Sequence, residues 1–369
     1  MVPFLDLHAQ YETIRADIDA AVARVIRDSA FIQGPELKAF ERDFSLWCGR
    51  QETVGVHAGS TALMFALTAA GVGPGDEVIT VPNSFIATAE AVSHVGATPV
   101  FVDVDPKTLL MDAALLEQVV TERTRAVIPV HLFGTPVPME PICAFAEKHG
   151  LVVIEDAAQA HGAKWQGKPV GSFGQYACYS FYPGKNLGTF GEGGAVTTDD
   201  VERAAYLRKL RNHGSSEKYL HDMVGWNARM GGLQAAVLAA KLPHLDAWNA
   251  SRRSHAAAYR EALQSLPLTF VGVPSGAEPV HHIFAVRTPK RDELQRSLTE
   301  RGIATGVHYP VPIHLQRAYA HLGKGPGSFP EAERAATEML SLPMYAELTV
   351  AQRDEVTGAI REFFSAPVG

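Results

Sequence analysis

The sequence predicts an α/β protein built on a large, mostly parallel sheet and completed by a small C-terminal α+β region. Three observations carry that expectation. Seven apolar stretches rich in β-branched residues recur at 53–57, 77–81, 98–104, 126–132, 151–155, 176–181 and 194–198. Segments with helical periodicity lie between most of them, at 61–70, 87–95, 113–120 and 139–148, and such alternation gives parallel strands covered by helices on both faces. From about Leu268 the texture changes to short strands at 280–286 and 305–308, interleaved with helices at 292–301, 331–339 and 351–364.

Taken in order, the chain opens on a helix over 11–28. Small residues between the strand 53–57 and the helix 61–70 form the turn Val56-His-Ala-Gly-Ser-Thr-Ala-Leu63. The run Leu151-Val-Val-Ile-Glu-Asp156 reads as a strand buried on both faces that delivers Asp156 at its carboxyl end. The strand over 176–181 stops at Pro183-Gly184, and the glycine-rich Gly188-Thr-Phe-Gly-Glu-Gly-Gly194 leads into the strand 194–198. A long Ala- and Leu-rich helical stretch over 229–262, broken near Pro243, is the expected hinge. It divides a large domain, 1–245, from a small one, 246–369. The loop 323–330, rich in Gly and Pro, is expected to be mobile.

Composition narrows the function classes. With 369 residues, 46% hydrophobic and 20% charged, the chain is an ordinary globular one, and a formal net charge of −7 without any basic run gives no footprint for nucleic acid. No apolar stretch approaches the roughly 20 residues a membrane helix needs. Three widely spaced cysteines, Cys48, Cys143 and Cys178, indicate neither a disulfide framework nor a zinc site. A soluble cytoplasmic protein without a leader is expected.

Lys185 is the chemical handle. It sits on a tight turn at the end of a buried strand, where desolvation can lower an amine's pKa enough to supply a nucleophile. Asp156, also at a strand's carboxyl end, supplies a carboxylate where open α/β sheets collect ligands. Pyridoxal phosphate chemistry needs this pair: a lysine to hold the aldehyde as an imine, and an acid to keep the ring nitrogen protonated. Backbone N–H groups from Gly59 onward, with the hydroxyls of Ser60 or Thr61, can meet a phosphate at the start of the helix 61–70, although the same hydroxyls can simply cap it.

Other phosphate and metal chemistries do not fit. A Walker loop requires Ser or Thr after Gly184-Lys185 and a glycine five residues earlier; Asn186 and Tyr179 stand there. No Gly-x-Gly-x-x-Gly joins a strand to a helix, so a nicotinamide fingerprint is missing. His281-His282 and His308 with His314 lack ligand spacing, and no metal is expected.

Several segments in order along almost the whole chain resemble one family: Asn83-Ser-Phe-Ile-Ala-Thr-Ala-Glu90, Glu155-Asp-Ala-Ala-Gln-Ala-His-Gly162, Ser180-Phe-Tyr-Pro-Gly-Lys-Asn-Leu-Gly188, Gly191-Glu-Gly-Gly194, Gly225-Trp-Asn-Ala-Arg-Met230 and Val307-His-Tyr-Pro310. They are similar to those of the nucleotide-sugar aminotransferases of the DegT/StrS type. That resemblance implies the aspartate-aminotransferase-like architecture, fold type I of the pyridoxal phosphate enzymes. It implies Lys185 as Schiff-base lysine and proton shuttle and Asp156 as partner of the pyridinium nitrogen. Phe85 would stack on the cofactor ring, Gln159 would lie near its phenolic oxygen, and Ser180 with Ser60 and Thr61 would bind its phosphate. Asn227 would reach that phosphate from a neighbouring subunit, giving a homodimer with shared active sites. Substrate contacts would come from Arg229, His308 and Tyr309.

The implied reaction has two stages. L-glutamate leaves its nitrogen on the cofactor as pyridoxamine phosphate, and a nucleotide-linked ketosugar collects it. The segment Phe181-Tyr-Pro-Gly-Lys-Asn-Leu-Gly188 resembles enzymes acting on 3-keto sugars, so the expectation is C3 amination of a 3-keto-6-deoxyhexose on dTDP. A UDP-linked 3-keto sugar, a C4-keto sugar and another cofactor-dependent sugar modification stay open. A sugar dehydratase would carry His where Lys185 stands.

Overall fold

A computed structural model describes residues 1–365. Its centre is a seven-stranded sheet made of β1 (Glu52–Val56), β2 (Glu77–Thr80), β3 (Thr98–Phe101), β4 (Thr124–Val127), β5 (Val152–Asp156), β6 (Tyr176–Ser180) and β7 (Gly194–Thr198). Their spatial order is β1-β7-β6-β5-β4-β2-β3. Only β7 runs against the rest, pairing antiparallel with both β1 and β6. All seven expected strands form, and the sheet is mostly parallel because the strands buried on both faces connect through helices.

Helices cover both faces. The helix Gly59–Ala69 packs Leu63, Phe65 and Ala66 with Val54, Ile128, Ile154 and Tyr176 in one buried cluster. Phe40, Phe44, Tyr179, Phe181 and Leu238 form a second, and Ile79, Val127, Val153, Ile142 and Phe145 belong to a third. Local signals set the ends: Pro35 opens a helix that stops where Gly49 turns left-handed at φ 71°, and Gly150, at φ 66°, closes the helix Met139–His149 in the same way.

The region after 245 has its own sheet and buried cluster. Thr269–Phe270, Phe284–Arg287 and Met339–Leu342 form a three-stranded antiparallel sheet, and Tyr259, Phe284, Val286, Leu294, Leu298, Leu340 and Ile360 pack together on it. No helix among the described residues is long and apolar enough to cross a membrane.

Several element boundaries differ from expectation. The opening helix is two helices, Leu7–Thr13 and Arg15–Arg27, and the helix Pro35–Cys48 was not foreseen. Residues 113–118 wind as a 3₁₀ helix. Residues 305–308 form no strand; Gly306 makes one isolated bridge to Ser341. The helix expected over 331–339 ends at Glu338, because Met339 starts the strand that pairs with Phe284–Arg287, a long-range partner that local periodicity does not reveal.

Candidate active site

A cavity of about 790 Å³ opens at the carboxyl ends of β1, β5 and β6. Gly59, Ser60, Phe85, Asp156, Gln159, Ser180, Lys185, His308 and Tyr309 all line it, so nine of the expected site residues meet in one place although the chain separates them by up to 250 positions.

Asp156 closes β5. Its backbone is pinned on both sides, N–H to the Pro129 carbonyl at 2.9 Å and carbonyl to the His131 N–H at 3.1 Å. Its carboxylate accepts from Thr88 Oγ1 at 2.8 Å and from the Ala158 N–H at 3.2 Å. Burial raises its pKa despite these donors and the Lys185 charge. A buried anion in this state lacks a full counter-charge and is stabilised by any cation brought to it.

Lys185 follows β6 through the Pro183-Gly184 turn, its N–H donating to the Tyr182 carbonyl at 2.9 Å. Desolvation lowers its pKa to about 8, against the raising effect of Asp156. Near neutrality part of the population is therefore free amine, the form that attacks a carbonyl.

The helix Gly59–Ala69 begins without a side-chain cap, leaving its first-turn N–H groups for an anion. Gly59 is required there: a Cβ would stand 2.6 Å from Ser180 Cβ. The helix start and the end of β6 are thus in contact, and Ser60 and Ser180 line the cavity together. Buried Thr61 is turned differently, its hydroxyl 3.2 Å from the His57 ring, and it does not line the cavity.

Gln159 is oriented by its neighbours. Its Oε1 accepts from the Phe133 N–H at 2.6 Å, so Nε2 faces the Tyr309 hydroxyl at 3.2 Å. The Phe85 ring is half exposed and lies 5.6 Å from Tyr309, tilted by 43°. His308 bonds to Ser341 Oγ at 2.9 Å and stacks on Phe4; burial first, then the Lys185 charge, lowers its pKa to about 4, and burial raises Tyr309 to about 12. Both are neutral at physiological pH.

Asn227 and Arg229 lie outside this cavity. Asn227 is exposed and bonds to Arg229, which also donates to Asn212 Oδ1 at 2.8 Å. Thr88, Ser84, His57, Glu192 and His282 line the cavity without having been foreseen. Thr88 lies within the quoted segment 83–90, one helical turn from Ser84, and that spacing was the available signal for it.

This arrangement can hold a phosphate at a helix start, a cationic ring nitrogen at a buried carboxylate and an aldehyde at an amine. The chain matches the model of the DegT/DnrJ/EryC1/StrS aminotransferase family over residues 12–361. It is 50% identical to a pleiotropic regulatory protein of Geobacillus stearothermophilus, over 98% of both chains. It is 49% identical to the dTDP-3-amino-3,4,6-trideoxy-alpha-D-glucose transaminase of Streptomyces venezuelae, over 98% of this chain and 96% of the other. The crystal structure of S. venezuelae DesV in complex with a ketimine intermediate superposes with a TM-score of 0.97 at 48% identity, over 99% of each chain. With its fold, its cavity and these likenesses in agreement, the chain belongs to the DegT/DnrJ/EryC1/StrS aminotransferase family.

Proposed function

We propose that the protein uses pyridoxal 5′-phosphate to move an amino group from L-glutamate to C3 of a dTDP-linked 3-keto-6-deoxyhexose. The observation that carries this reading is the meeting of a lysine with its pKa lowered to about 8 and a buried, raised-pKa aspartate in one cavity. The substrate class is supported by the similarity to the Streptomyces venezuelae transaminase.

The residues fit the cofactor. Asp156 would hold the ring nitrogen in its protonated form, Ser60 and Ser180 with the free N–H groups of the helix start would bind the phosphate, and Phe85 would cover the ring. Gln159 would offer its remaining amide hydrogen to the phenolic oxygen, since its carbonyl end is already held by Phe133. When bound, the cofactor supplies an electron sink for the carbanion formed at the reacting carbon. Lys185 would be the residue that holds the cofactor's aldehyde, and its amine, with a pKa lowered to about 8, would accept and return the proton at the substrate carbon near neutral pH.

Two copies would complete the site. Asn227 and Arg229, away from their own cavity, follow exposed Trp226 in the chain, and Tyr219 and Leu220 are exposed a few residues earlier, apolar side chains that a second subunit would cover. The same proposal includes a division of the chain after residue 245, supported by the buried cluster that residues 256–360 form together with Val2 of the N-terminus, and a cytoplasmic location, supported by three free cysteines.

Purified protein given the cofactor should turn yellow and be bleached by L-glutamate, and Lys185→Ala should lose the covalent link and turnover. A panel of dTDP- and UDP-ketosugars with glutamate, read by NMR of the amino sugar, tests the substrate. Amination of none of them, or at another carbon, would overturn it.

A further inference from the structure

Asn186, the residue after Lys185, is buried among groups that leave its side chain a single orientation. The Val280 carbonyl, 3.0 Å away, can only accept, so the nitrogen end of Asn186 faces it. The His161 carbonyl, 2.8 Å from Asn249, takes the Asn249 nitrogen in the same way. That turns Asn249 Oδ1 toward Asn186 Nδ2, at 2.9 Å. Both amide hydrogens of Asn186 are then in use, and its Oδ1 is the atom left facing His282 Nδ1 at 3.3 Å.

An amide oxygen cannot donate, so His282 Nδ1 carries the hydrogen. Burial, reinforced by the Lys185 charge, holds the His282 pKa well below its ordinary value, which keeps the ring neutral. Nε2 is then a bare lone pair. It has no hydrogen-bond partner among the described residues, and the ring lines the cavity. A hydroxyl or a free amide in this place could rotate from acceptor to donor; this imidazole cannot.

The lone pair selects what can sit against it. Phosphates and the carboxylates of glutamate are acceptors and would face it lone pair to lone pair. The glutamate amine is the reacting group and is committed to the chemistry beside Lys185. Of the groups carried by the sugar ring itself, a hydroxyl is the neutral donor that can meet it. We propose that His282 Nε2 is a fixed hydrogen-bond acceptor for a hydroxyl of the sugar substrate, with Asn186 the positioning residue that sets its tautomer. The proposal rests on the aminotransferase reading above.

The test measures the two half-reactions separately by stopped-flow absorbance of the cofactor-loaded enzyme. His282→Phe should slow the ketosugar half-reaction, as rate over KM, at least about tenfold more than the glutamate half-reaction, the scale on which a missing hydroxyl partner discriminates. Asn186→Leu, which frees the ring to change tautomer, should shift the same ratio in the same direction by less. A ketosugar with the contacted hydroxyl replaced by hydrogen should penalise the wild type and leave His282→Phe indifferent. Independently of activity, ¹⁵N NMR of histidine-labelled protein should show His282 protonated at Nδ1 and bare at Nε2. Equal loss in both half-reactions, no change in either, or the opposite tautomer would overturn the proposal. If wild-type enzyme bleached by glutamate is restored by no nucleotide ketosugar, the substrate reading itself fails and this proposal falls with it. Loss confined to the variants, equal in both halves, sinks the His282 assignment alone.

Discussion

The Thr88 hydroxyl donates to Asp156 Oδ2 across 2.8 Å and lies 2.8 Å from the Ser84 hydroxyl. Since a carboxylate only accepts, Thr88 spends its hydrogen on Asp156 and must accept from Ser84. The aspartate that would face the cofactor ring is thus steadied by a short chain of hydroxyls reaching in from the helix Ala87–His94 and the turn before it.

Thr88→Val keeps the shape and removes the donor. A hydrogen bond to a charged group contributes about 1.5–3 kcal/mol, so turnover should fall roughly tenfold or more while Thr88→Ser stays near wild type. Steady-state kinetics on the two variants checks it; a valine enzyme with unchanged kcat would refute the role of this bond.

Cofactor-free Lys185→Met should be more stable than cofactor-free wild type below about pH 8, and the gain should vanish with alkali. The sign follows from the folded-state pKa of about 8, below the ordinary 10.5. Under pH 8 the lysine is charged in both folded and unfolded chains, and its burial penalty is fully present. Between 8 and 10.5 the folded chain sheds the proton and the unfolded chain keeps it, so wild-type stability climbs with pH through that window while the methionine variant gains nothing there. Urea unfolding across pH 7–10.5 measures the convergence; parallel curves would count against it.

Gly59→Ala drives a methyl group into Ser180, 2.6 Å from its Cβ and 3.0 Å from its Cα. Overpacking of this kind costs about 1–3 kcal/mol, here expressed as separation of the two segments that line the expected phosphate position. Cofactor affinity, followed by fluorescence titration, should weaken about tenfold. Gly73→Ala, which meets nothing nearer than the Val95 carbonyl at 4.0 Å, should leave it unchanged.

Glu155, next to Asp156, faces away from the cavity into a buried nest of donors. It accepts from the N–H groups of Gly171, Phe173 and Gly174 at 2.7 to 2.8 Å and from His131 Nε2 at 3.1 Å. Burial alone would push this carboxyl up; the donors outweigh it and hold it below its ordinary range. Glu155→Gln puts an amide hydrogen against backbone N–H groups and should cost about 1–3 kcal/mol, the scale for leaving a buried donor unsatisfied. Because the wild-type carboxylate is stabilising above its ordinary 4.5 and loses that advantage as it protonates, the two unfolding midpoints should draw together as pH falls below that value.

The parts of the site visible in the sequence were those encoded locally. Asp156 ends an unbroken apolar run, and Lys185 follows a Pro-Gly turn, signals that need no knowledge of distant partners. The seven strands were equally legible, because strands buried on both faces write themselves as continuous apolar stretches. Thr88 as a partner of Asp156 was not, since the two lie 68 positions apart and the sequence shows only its helical spacing from Ser84. Nor was His282, whose ring is set by Asn186 across 96 positions; in sequence it is one of two adjacent histidines without ligand spacing. The strand Met339–Leu342 escaped notice because its pairing with Phe284–Arg287 is a tertiary fact.

The cavity draws its wall from two separate stretches of chain, 57–192 along the main sheet and 282–344 beyond it, with Phe4 and Leu5 from the N-terminus. The two are stitched together at Asn186–His282, Gln159–Tyr309 and Phe85–Tyr309. Evolutionary drift in the second stretch is therefore answerable to the first, and a graft of the 282–309 segment between relatives would have to carry matching residues at 85, 159 and 186 to keep these contacts.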